Sequence, residues 1–206
     1  MEQVNITYWG HACFCLESEG FRVVIDPYID HMVPGLPPLR LEAEAVYCSH
    51  CHDDHNFVQA VSLAPSTEPP YSLTELIVPH DHQNGRKRGM NTIRIFSFGE
   101  LRIAHLGDIG RPLTEEEAKS LQNLDCILIP VGGYYTIDPL EASEMIKVLT
   151  PRVAIPMHYR TEHTGFNEVA PIEEFTKQYS QVQHGGQTLS LTKETQKQIH
   201  VLHYVD

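Results

Sequence analysis

The sequence predicts an α/β protein in which one β-sheet packs on another and helices cover the outside. The first part of the chain carries short apolar runs separated by turn residues, which indicates strands. The second part alternates apolar runs with capped amphipathic segments, which indicates strands and helices in turn. The 206 residues contain neither a repeat nor a clear linker, so we expect a single domain over residues 1–206.

Three predicted strands open the chain as a meander, with turns at Gly10-His11 and at Ser18-Glu19-Gly20. They cover residues 4–9, 12–17 and 21–25. Asp26-Pro27 then ends the third strand. Asp26 fits a simple strand-ending turn, and it fits equally well a carboxylate that accepts a hydrogen bond from a metal-binding histidine.

The next part of the chain is rich in residues that break regular structure. Residues 31–40 contain three prolines and a glycine, which predicts a loop near the mouth of a site. The apolar run over 43–48, interrupted by Glu44, predicts a strand. Residues 54–63 predict a short helix, and residues 65–70 a surface loop.

Strands and helices alternate in the second part of the chain. Thr114 begins a capping box, and Asp138 is a helix N-cap followed by proline at the first helical position. Helices are therefore expected over 114–121, from 138 to 149 and over 171–179. Strands are expected over 73–78, 92–98, 101–106, 125–131 and 152–156, with a hairpin between the second and third of these. Residues 187–191 and 198–204 are expected to close the chain as a final hairpin.

Composition limits the classes of partner. The formal net charge is −12 with histidine neutral, which argues against nucleic acid, because phosphate binding needs a basic face. No run approaches the ~20 apolar residues of a membrane-spanning helix, and Met1-Glu2-Gln3 shows no start of a signal peptide. The odd count of five cysteines favours a reduced, cytoplasmic protein.

Residues 50–55 hold three histidines and two aspartates directly after a predicted strand. His50 and His52 are two positions apart, so in an extended backbone both rings point to the same side. Asp54 and His55 follow, and they can face the same cavity from another direction. Imidazole and carboxylate ligands suit zinc, iron, manganese or nickel better than calcium or magnesium.

Three further predicted strands end in a potential metal ligand, namely His80, Asp108 and His158. Together with the ligands in 50–55 they supply five histidines and two aspartates, enough for two metal ions. A carboxylate can bridge two such ions, which lie ~3.5–4 Å apart and can hold a hydroxide between them. His82 lies two residues beyond His80 and would face the same site in an extended strand.

These motifs resemble the metallo-β-lactamase superfamily, in the order His50-x-His52-x-Asp54-His55, His80, Gly107-Asp108 and His158. More closely, the chain resembles the bacterial stand-alone metal-dependent hydrolases related to ascorbate-6-phosphate lactonase. That similarity spans nearly the whole chain and rests on segments 9–14, 25–27, 88–93, 104–108, 130–136 and 155–161. It implies an αββα sandwich of the metallo-β-lactamase type, with metals at one edge of the two sheets.

The resemblance also implies roles for the ligands. The first metal would be held by His50, His52 and His80, the second by Asp54, His55 and His158, and Asp108 would bridge them. His80 is preferred to His82 because of its spacing from the Arg88-Gly89-x-Asn91 turn that these hydrolases show. The expected cofactors are two divalent metal ions, with zinc the first choice and manganese, iron or nickel as alternatives.

Several residues near these strand ends are candidates for contact with a ligand histidine or with substrate. They are His11, Asp26, His105, Tyr159 and Arg160, and Tyr134 and Tyr135 are further candidates for contact with substrate. His105 and Tyr159 are equally interpretable as core side chains, and Arg160 as a surface charge. Cys51 lies between two ligand positions and is expected to point away from them.

The expected function is that of a dinuclear metal-dependent hydrolase, in which a metal-bridging hydroxide attacks a small anionic ester, lactone or phosphodiester. Asp54 and Asp108 are expected to be its catalytic carboxylates. Because one fold serves several chemistries, an iron-containing redox or metal-sensing protein on the same ligands is an alternative. A nuclease is disfavoured by charge and size. We expect a small-molecule anionic substrate, no nucleic acid and no membrane as partner, and leave a homo-oligomer open.

Overall fold

The structure is a computed structural model that describes residues 2–65 and 68–204. Positions 66 and 67, in the loop predicted for 65–70, lie outside the described residues. The strands are β1 Val4–Tyr8, β2 Phe14–Ser18, β3 Phe21–Ile25, β4 Leu41–Ala43, β5 Ala45–Tyr47, β6 Val61–Leu63, β7 Ser72–Pro79, β8 Met90–Phe98, β9 Leu101–His105, β10 Cys126–Pro130, β11 Val153–Met157, β12 Gln183–His184, β13 Thr188–Leu191 and β14 Gln198–Val201. The helices are α1 Glu115–Ser120, α2 Pro139–Leu149 and α3 Ile172–Thr176, with a 3-10 turn at Val58–Ala60.

Two large sheets dominate the fold. The five-stranded sheet has the order β13-β1-β2-β3-β5, and the seven-stranded sheet has the order β12-β14-β11-β10-β9-β8-β7. β4 and β6 form a small third sheet. The antiparallel pairing of β1 with β2, β2 with β3 and β8 with β9 confirms the predicted meander and the predicted hairpin.

The main core lies between the two large sheets. Val4 and Ile6 of β1 point inward on alternate positions and join one apolar cluster with Phe96 and Leu128 of the facing sheet. The helices cover the other face of the seven-stranded sheet, where Met145 of α2 packs. These layers confirm the predicted sandwich.

The outer face of the five-stranded sheet has a lighter cover. Val33, Leu36 and Leu39 of the predicted mouth loop are buried there, together with residues of the small sheet. Within the described residues, this layer contains the 3-10 turn but no α-helix. The loop over 31–40 is therefore anchored to the sheet by its apolar side chains.

The segment 43–48, predicted as one strand, is divided at Glu44 between two strands of different sheets, β4 and β5. The Glu44 carboxylate accepts hydrogen bonds from the backbone N–H of Arg22 (2.6 Å) and from its guanidinium (3.0 Å). The Glu44 N–H donates to the Arg22 carbonyl. As a result β4 pairs with β6, whereas β5 pairs with β3.

The helix predicted for residues 54–63 is wrong. The chain instead forms a turn, the 3-10 turn and strand β6. The spacing of Phe57, Val58 and Val61 favoured a helix, but tertiary contacts override this local pattern. The Phe57 N–H donates to the Pro27 carbonyl at 2.7 Å, and β6 pairs with β4.

The final hairpin predicted for 187–191 and 198–204 is also wrong. β13 pairs antiparallel with β1 in the five-stranded sheet, whereas β14 pairs parallel with β11 in the seven-stranded sheet. The connection contains a local turn, in which the Thr192 N–H donates to Thr195 Oγ1 at 3.0 Å. The turn between β13 and β14 therefore connects the two large sheets and does not close a hairpin.

The carboxyl ends of β3, β5, β7, β9 and β11 lie at one edge of the sandwich. β9, β10 and β11 are parallel, and β7 shares their direction because β7 and β9 both pair antiparallel with β8. The two sheets are tied together there, since the Thr92 N–H donates to the Ser49 carbonyl (2.9 Å) and Arg94 Nη1 donates to the Cys48 carbonyl (2.7 Å). Residues that follow these strands are therefore brought together.

The helices are short and well capped. Thr114 and Glu117 form the predicted capping box on α1, and Asp138 and Glu141 form one on α2. None of the helices in the described part of the chain has the length and apolar character needed to span a bilayer.

Replacing Glu117 by Gln is expected to lower the free energy of unfolding by about 1–2 kcal/mol at pH 7. Its carboxylate accepts two hydrogen bonds from Arg111, each 2.8 Å long, and one from the Thr114 N–H. The Arg111 guanidinium is the main cause that lowers the pKa of Glu117 to about 2, below its ordinary 4.5. A group with a depressed folded-state pKa stabilises the fold above its unfolded pKa, and this stabilisation is lost as the pH falls from about 4.5 to about 2.

Urea unfolding between pH 7 and pH 4 measures this effect. The difference between wild type and Glu117→Gln should shrink as the pH approaches 4. Glu116→Gln, an exposed neighbour in the same helical turn, is the matched control and should show no comparable loss. A difference that grows on acidification would contradict the prediction.

Candidate metal centre

Eight titratable side chains converge at the edge where the strands end. They form three overlapping groups, within each of which the ligand atoms lie within 4.8 Å of one another. The groups are His50, His52 and His80; His11, Asp54, His55 and His158; and His50, His55 and Asp108. The structure therefore brings together all seven ligands predicted from the sequence, and it adds His11.

Asp108 lies between the first group, His50, His52 and His80, and the second group, which contains His55 and His158. Its Oδ2 is 3.5 Å from His80 Nε2, 3.3 Å from His55 Nε2 and 3.2 Å from His158 Nε2. One carboxylate thus contacts a member of the first group and two members of the second. This is the placement that a bridging ligand requires, and the bridging role itself stays a prediction.

A buried carboxylate, Asp26, orients histidines of both groups. Asp26 accepts hydrogen bonds from His55 Nδ1 (2.9 Å), from the Ser49 N–H (2.6 Å) and from Ser49 Oγ (2.6 Å). Since the Ser49 hydroxyl donates its proton to Asp26, His50 Nδ1 donates to Ser49 Oγ at 2.9 Å. Both His50 and His55 therefore carry a proton on Nδ1, which leaves Nε2 of each ring as the atom that can bind a metal.

A second polar side chain, Asn91, holds the turn that carries Asp108. Asn91 Nδ2 donates to the Leu106 carbonyl, and Asn91 Oδ1 accepts from the Asp108 N–H, both at 2.8 Å. Gly107 lies between these points with a φ of 53°, and a Cβ there would come within 2.2 Å of Asn91 Oδ1. Only glycine allows this close approach, which explains the Gly-Asp pair.

His11 and His158 reach the site from opposite sheets. The His158 N–H donates to the His11 carbonyl (2.8 Å), and His11 Nε2 lies 3.0 Å from Asp54 Oδ2. The φ angles of His11, Asp26 and His158 are 55°, 53° and 54°. Positive φ at a non-glycine residue costs of order 1–3 kcal/mol, and such strain is concentrated at functional sites.

Burial and neighbouring charges set the protonation of the site. Burial, aided by His55, lowers the pKa of His50 to about 3, and burial lowers the pKa of His80 to about 4. Both imidazoles are neutral at pH 7, as metal ligands must be. Burial raises the pKa of Asp108, but His158 and His55 lower it more, so its pKa lies well below the ordinary value.

Burial also lowers the pKa of His55, but three carboxylates raise it more, to well above its ordinary value. These are Asp108, Asp26 and Asp54. A proton and a metal ion therefore compete for His55 Nε2, because both are attracted by the same negative charge.

The donor atoms fit divalent transition metals. Within the described residues, the buried atoms His50 Nε2, His55 Nε2, Asp108 Oδ1 and both ring nitrogens of His158 have no hydrogen-bond partner. Buried polar atoms are normally paired, so unpaired ones that converge call for an explanation such as an ion. Imidazole nitrogens with carboxylate oxygens are the donor set that zinc, manganese and iron accept.

His82 and Cys51 are close in sequence to the ligands but belong to none of the groups of potential ligands. His82 is exposed and lies 3.7 Å from Glu141, outside every group of potential ligands, whereas His80 is buried among them. Cys51, expected to point away from the site, is exposed and lines the cavity mouth, but it is in none of the groups.

The contacts of three candidate residues, His105, Tyr159 and Arg160, favour a structural role over contact with substrate. His105 Nε2 donates to the Ala12 carbonyl at 2.9 Å, so this buried histidine joins the two sheets. Tyr159 is buried, and its hydroxyl donates to the Leu202 carbonyl at 3.3 Å. Arg160 Nε donates to the Val169 carbonyl at 3.0 Å, and Arg160 is not among the described residues that line the cavity. These residues support structure and do not face the cavity.

The cavity in front of the ligands has a volume of about 470 Å³. Its lining includes Tyr135, a substrate-contact candidate from the sequence, and Met32 of the predicted mouth loop, together with Phe166 and Arg88, which the sequence analysis did not assign to the site. Arg88 is the one lysine or arginine among the described lining residues. Ser49 and Asn91 were also missed as partners of the ligands. Arg88 and Asn91 lie in the 88–93 segment that the resemblance singled out, which was their only signal.

Comparison with known proteins places these features in a family. Residues 5–158 match the beta-lactamase superfamily domain. A UPF0173 metal-dependent hydrolase from Thermoplasma acidophilum is 29% identical over 194 residues, covering 78% of this chain and 85% of that protein. Another from Caldivirga maquilingensis is 30% identical over 189 residues, covering 76% and 82%.

A solved structure agrees with these matches. A metallo-β-lactamase superfamily protein from Thermotoga maritima has a TM-score of 0.73 and 30% identity, over 97% of this chain and 98% of that one. The resemblance and the fold class inferred from the sequence are confirmed. The chain therefore belongs to the beta-lactamase superfamily, among its UPF0173 metal-dependent hydrolases.

Proposed function

We propose that this protein is a dinuclear metallo-hydrolase that cleaves a small anionic ester, lactone or phosphodiester, with zinc as the first choice of metal. The observation that supports it most is Asp108, whose Oδ2 contacts histidines of two separate ligand groups. When bound, the metals would lower the pKa of a water molecule toward ~7 and polarise an oxygen of the substrate.

The ligands of each proposed ion come from both sheets. The first ion would be held by His50, His52 and His80, the second by Asp54, His55 and His158, and Asp108 would be shared. Asp26 and Ser49 keep His50 and His55 in the tautomer that leaves Nε2 available. The chain thus orients its ligands before any ion arrives.

Asp54 is the carboxylate we assign to proton transfer. It lines the cavity, and its Oδ2 lies 3.0 Å from His11 Nε2 and 3.5 Å from His55 Nε2. Burial raises its pKa, but the neighbouring imidazoles of His11 and His55 lower it more, so Asp54 is ionised. An ionised carboxylate on the cavity wall can take up a proton during hydrolysis.

The cavity favours a small substrate over a polymer. Its volume of about 470 Å³ suits a small molecule. The net charge of −12 opposes a polyanion. A screen of lactones, small carboxylic esters and phosphodiesters on metal-loaded protein tests the proposal. Cleavage of RNA or DNA with all small substrates untouched would overturn it.

Metal analysis by inductively coupled plasma spectrometry is expected to give about two ions per chain, because the ligands form two groups joined by one carboxylate. His80→Ala should lower this to about one, whereas His82→Ala should leave it unchanged, since the His82 ring lies outside the ligand groups. One ion or fewer in wild type after supplementation with zinc, manganese or iron would contradict the dinuclear site. Loss of metal in His82→Ala alone would exchange the roles of the two histidines.

A further inference from the structure

Arg88 is unusual among the arginines of this chain. Its guanidinium lies over the ring of Tyr135, with Cζ 5.3 Å from the ring centroid, and it lines the cavity. Within the described residues its side chain has no hydrogen bond and no ion pair. The other arginines, apart from the exposed Arg86, each donate to a carboxylate or a carbonyl, namely Arg22, Arg40, Arg94, Arg102, Arg111, Arg152 and Arg160.

Hydrogen bonds to the Asp81 carboxylate hold the loop that carries Arg88. Asp81 is buried, and its Oδ1 accepts from the backbone N–H groups of Gln83 (2.7 Å) and Gly85 (3.0 Å). Its Oδ2 accepts from the N–H groups of Lys87 (2.9 Å) and Arg88 (2.8 Å). Four hydrogen bonds to one carboxylate hold the backbone of Arg88 in place, which reduces the entropy lost when the side chain binds a partner.

The contacts leave the guanidinium ready to bind an anion. Stacking on Tyr135 uses the face of the guanidinium and leaves its N–H groups along the edge free. Free N–H groups in a planar fork match the two oxygens of a carboxylate or a phosphate. In a chain with a net charge of −12, an arginine without a carboxylate partner beside a cavity points to a ligand that supplies the negative charge.

We propose that Arg88 determines substrate specificity by binding a carboxylate or phosphate group of the substrate that is remote from the cleaved bond, and that Asp81 positions it. The proposal rests on the proposed function, and it names the residue that recognises the anionic substrate. Met32 and Phe166 on the cavity wall would contact the apolar part between the anion and the reacting group.

A matched pair of esters tests the proposal in turnover. 4-Nitrophenyl acetate and mono-4-nitrophenyl glutarate share a leaving group, but only the second has a remote carboxylate. Arg88→Ala should lower the ratio of kcat/KM for the anionic ester to that for the neutral ester by roughly 10- to 100-fold, mainly through KM. Arg88→Lys should recover part of the ratio, because lysine keeps the charge but not the fork. Arg86→Ala, two residues away and exposed, should leave the ratio unchanged.

Asp81→Asn tests the positioning role. Asparagine keeps the shape, but its amide nitrogen cannot accept, so two of the four backbone N–H groups lose their acceptor. The same ratio should fall through KM, with about two metals per chain retained. An equal loss in kcat for both esters, or loss of metal, would mean that Asp81 supports only the neighbouring His80.

Binding measured without turnover separates this proposal from the proposed function. Isothermal titration of metal-loaded wild type, Arg88→Ala and Arg86→Ala uses glutarate as the carboxylate probe and phenylphosphonate as the phosphate-like probe. Arg88→Ala should weaken whichever probe wild type binds by more than about tenfold, and this identifies the anion. If that loss occurs but no ester is cleaved, the proposed function fails while the anion site stands. Equal affinity in all three proteins, or no binding of either probe, overturns the proposal.

Discussion

Replacing Asp108 by Asn should remove at least one metal ion and lower kcat/KM by at least about 10²–10³-fold, with the fold retained. Asparagine preserves the shape of the side chain but removes the negative charge that faces three imidazoles. The backbone hydrogen bond from Asp108 to Asn91 does not depend on the side chain, so the turn should keep its conformation. Metal content, steady-state kinetics and circular dichroism together test this expectation.

Asp53→Asn is the matched control for metal content. Asp53 also lines the cavity, but it is exposed and belongs to none of the ligand groups, so about two ions per chain should remain. An Asp108→Asn protein that keeps both ions and full turnover would refute the bridging role. An unfolded Asp108→Asn protein would show instead that the site and the fold depend on each other.

Replacing Asp26 by Asn should weaken both metal sites and destabilise the chain, although Asp26 lies in none of the groups of potential metal ligands. The carboxylate accepts three hydrogen bonds, and an amide nitrogen in its place would face N–H or O–H donors. An unsatisfied buried donor costs about 1–3 kcal/mol, so we expect a loss of about 2–4 kcal/mol in the free energy of unfolding. Metal affinity should fall about 10- to 100-fold, because residues that orient metal ligands have effects of that size.

The lowered pKa of Asp26 determines how its contribution to the free energy of unfolding changes with pH. Burial raises the pKa of Asp26, but the hydrogen bond from His55 and the nearby His105 lower it more, to about 2. Its ordinary pKa is 3.8, so the ionised carboxylate stabilises the fold at neutral pH and loses this effect as the pH falls from about 4 to about 2. Urea unfolding in chelator, together with metal competition titrations, measures both consequences.

Asp30→Asn provides the comparison for Asp26. Asp30 pairs with Arg40 at the surface, where solvent screens the interaction, so little change in stability and none in metal affinity is expected. If Asp26→Asn weakened the metal site that contains His55 but not the one that contains His50, the proposed effect of Asp26 on His50 through Ser49 would be disproved.

The sequence predicted which side chains converge at the site, because their positions are set by strand ends. A short apolar strand followed by His80 or His158 fixes where the polar residue emerges, since parallel strands end at the same edge of a sheet. The two-residue spacing of His50 and His52 carries the same information locally. These patterns depend on a few neighbouring residues, and the described structure brings the same residues together.

The substrate side of the cavity could not be predicted in the same way. Arg88 meets Tyr135 only because two loops from different strands approach each other, and no local pattern records that distance. Arg160 was chosen because it follows His158 in sequence, but its guanidinium bonds to the Val169 carbonyl. The failed helix over 54–63 has a similar cause, because backbone partners distant in sequence decided its conformation.

The positive φ of His158 has a consequence for attempts to make this protein more heat-resistant. Without a metal, the residue combines a strained backbone with two buried ring nitrogens that have no hydrogen-bond partner among the described residues. Asparagine or glycine tolerates that backbone conformation better, so substitution relieves a cost that the native residue carries. Directed evolution scored on melting temperature alone would therefore enrich variants that lack this histidine, and a useful selection must also score metal retention.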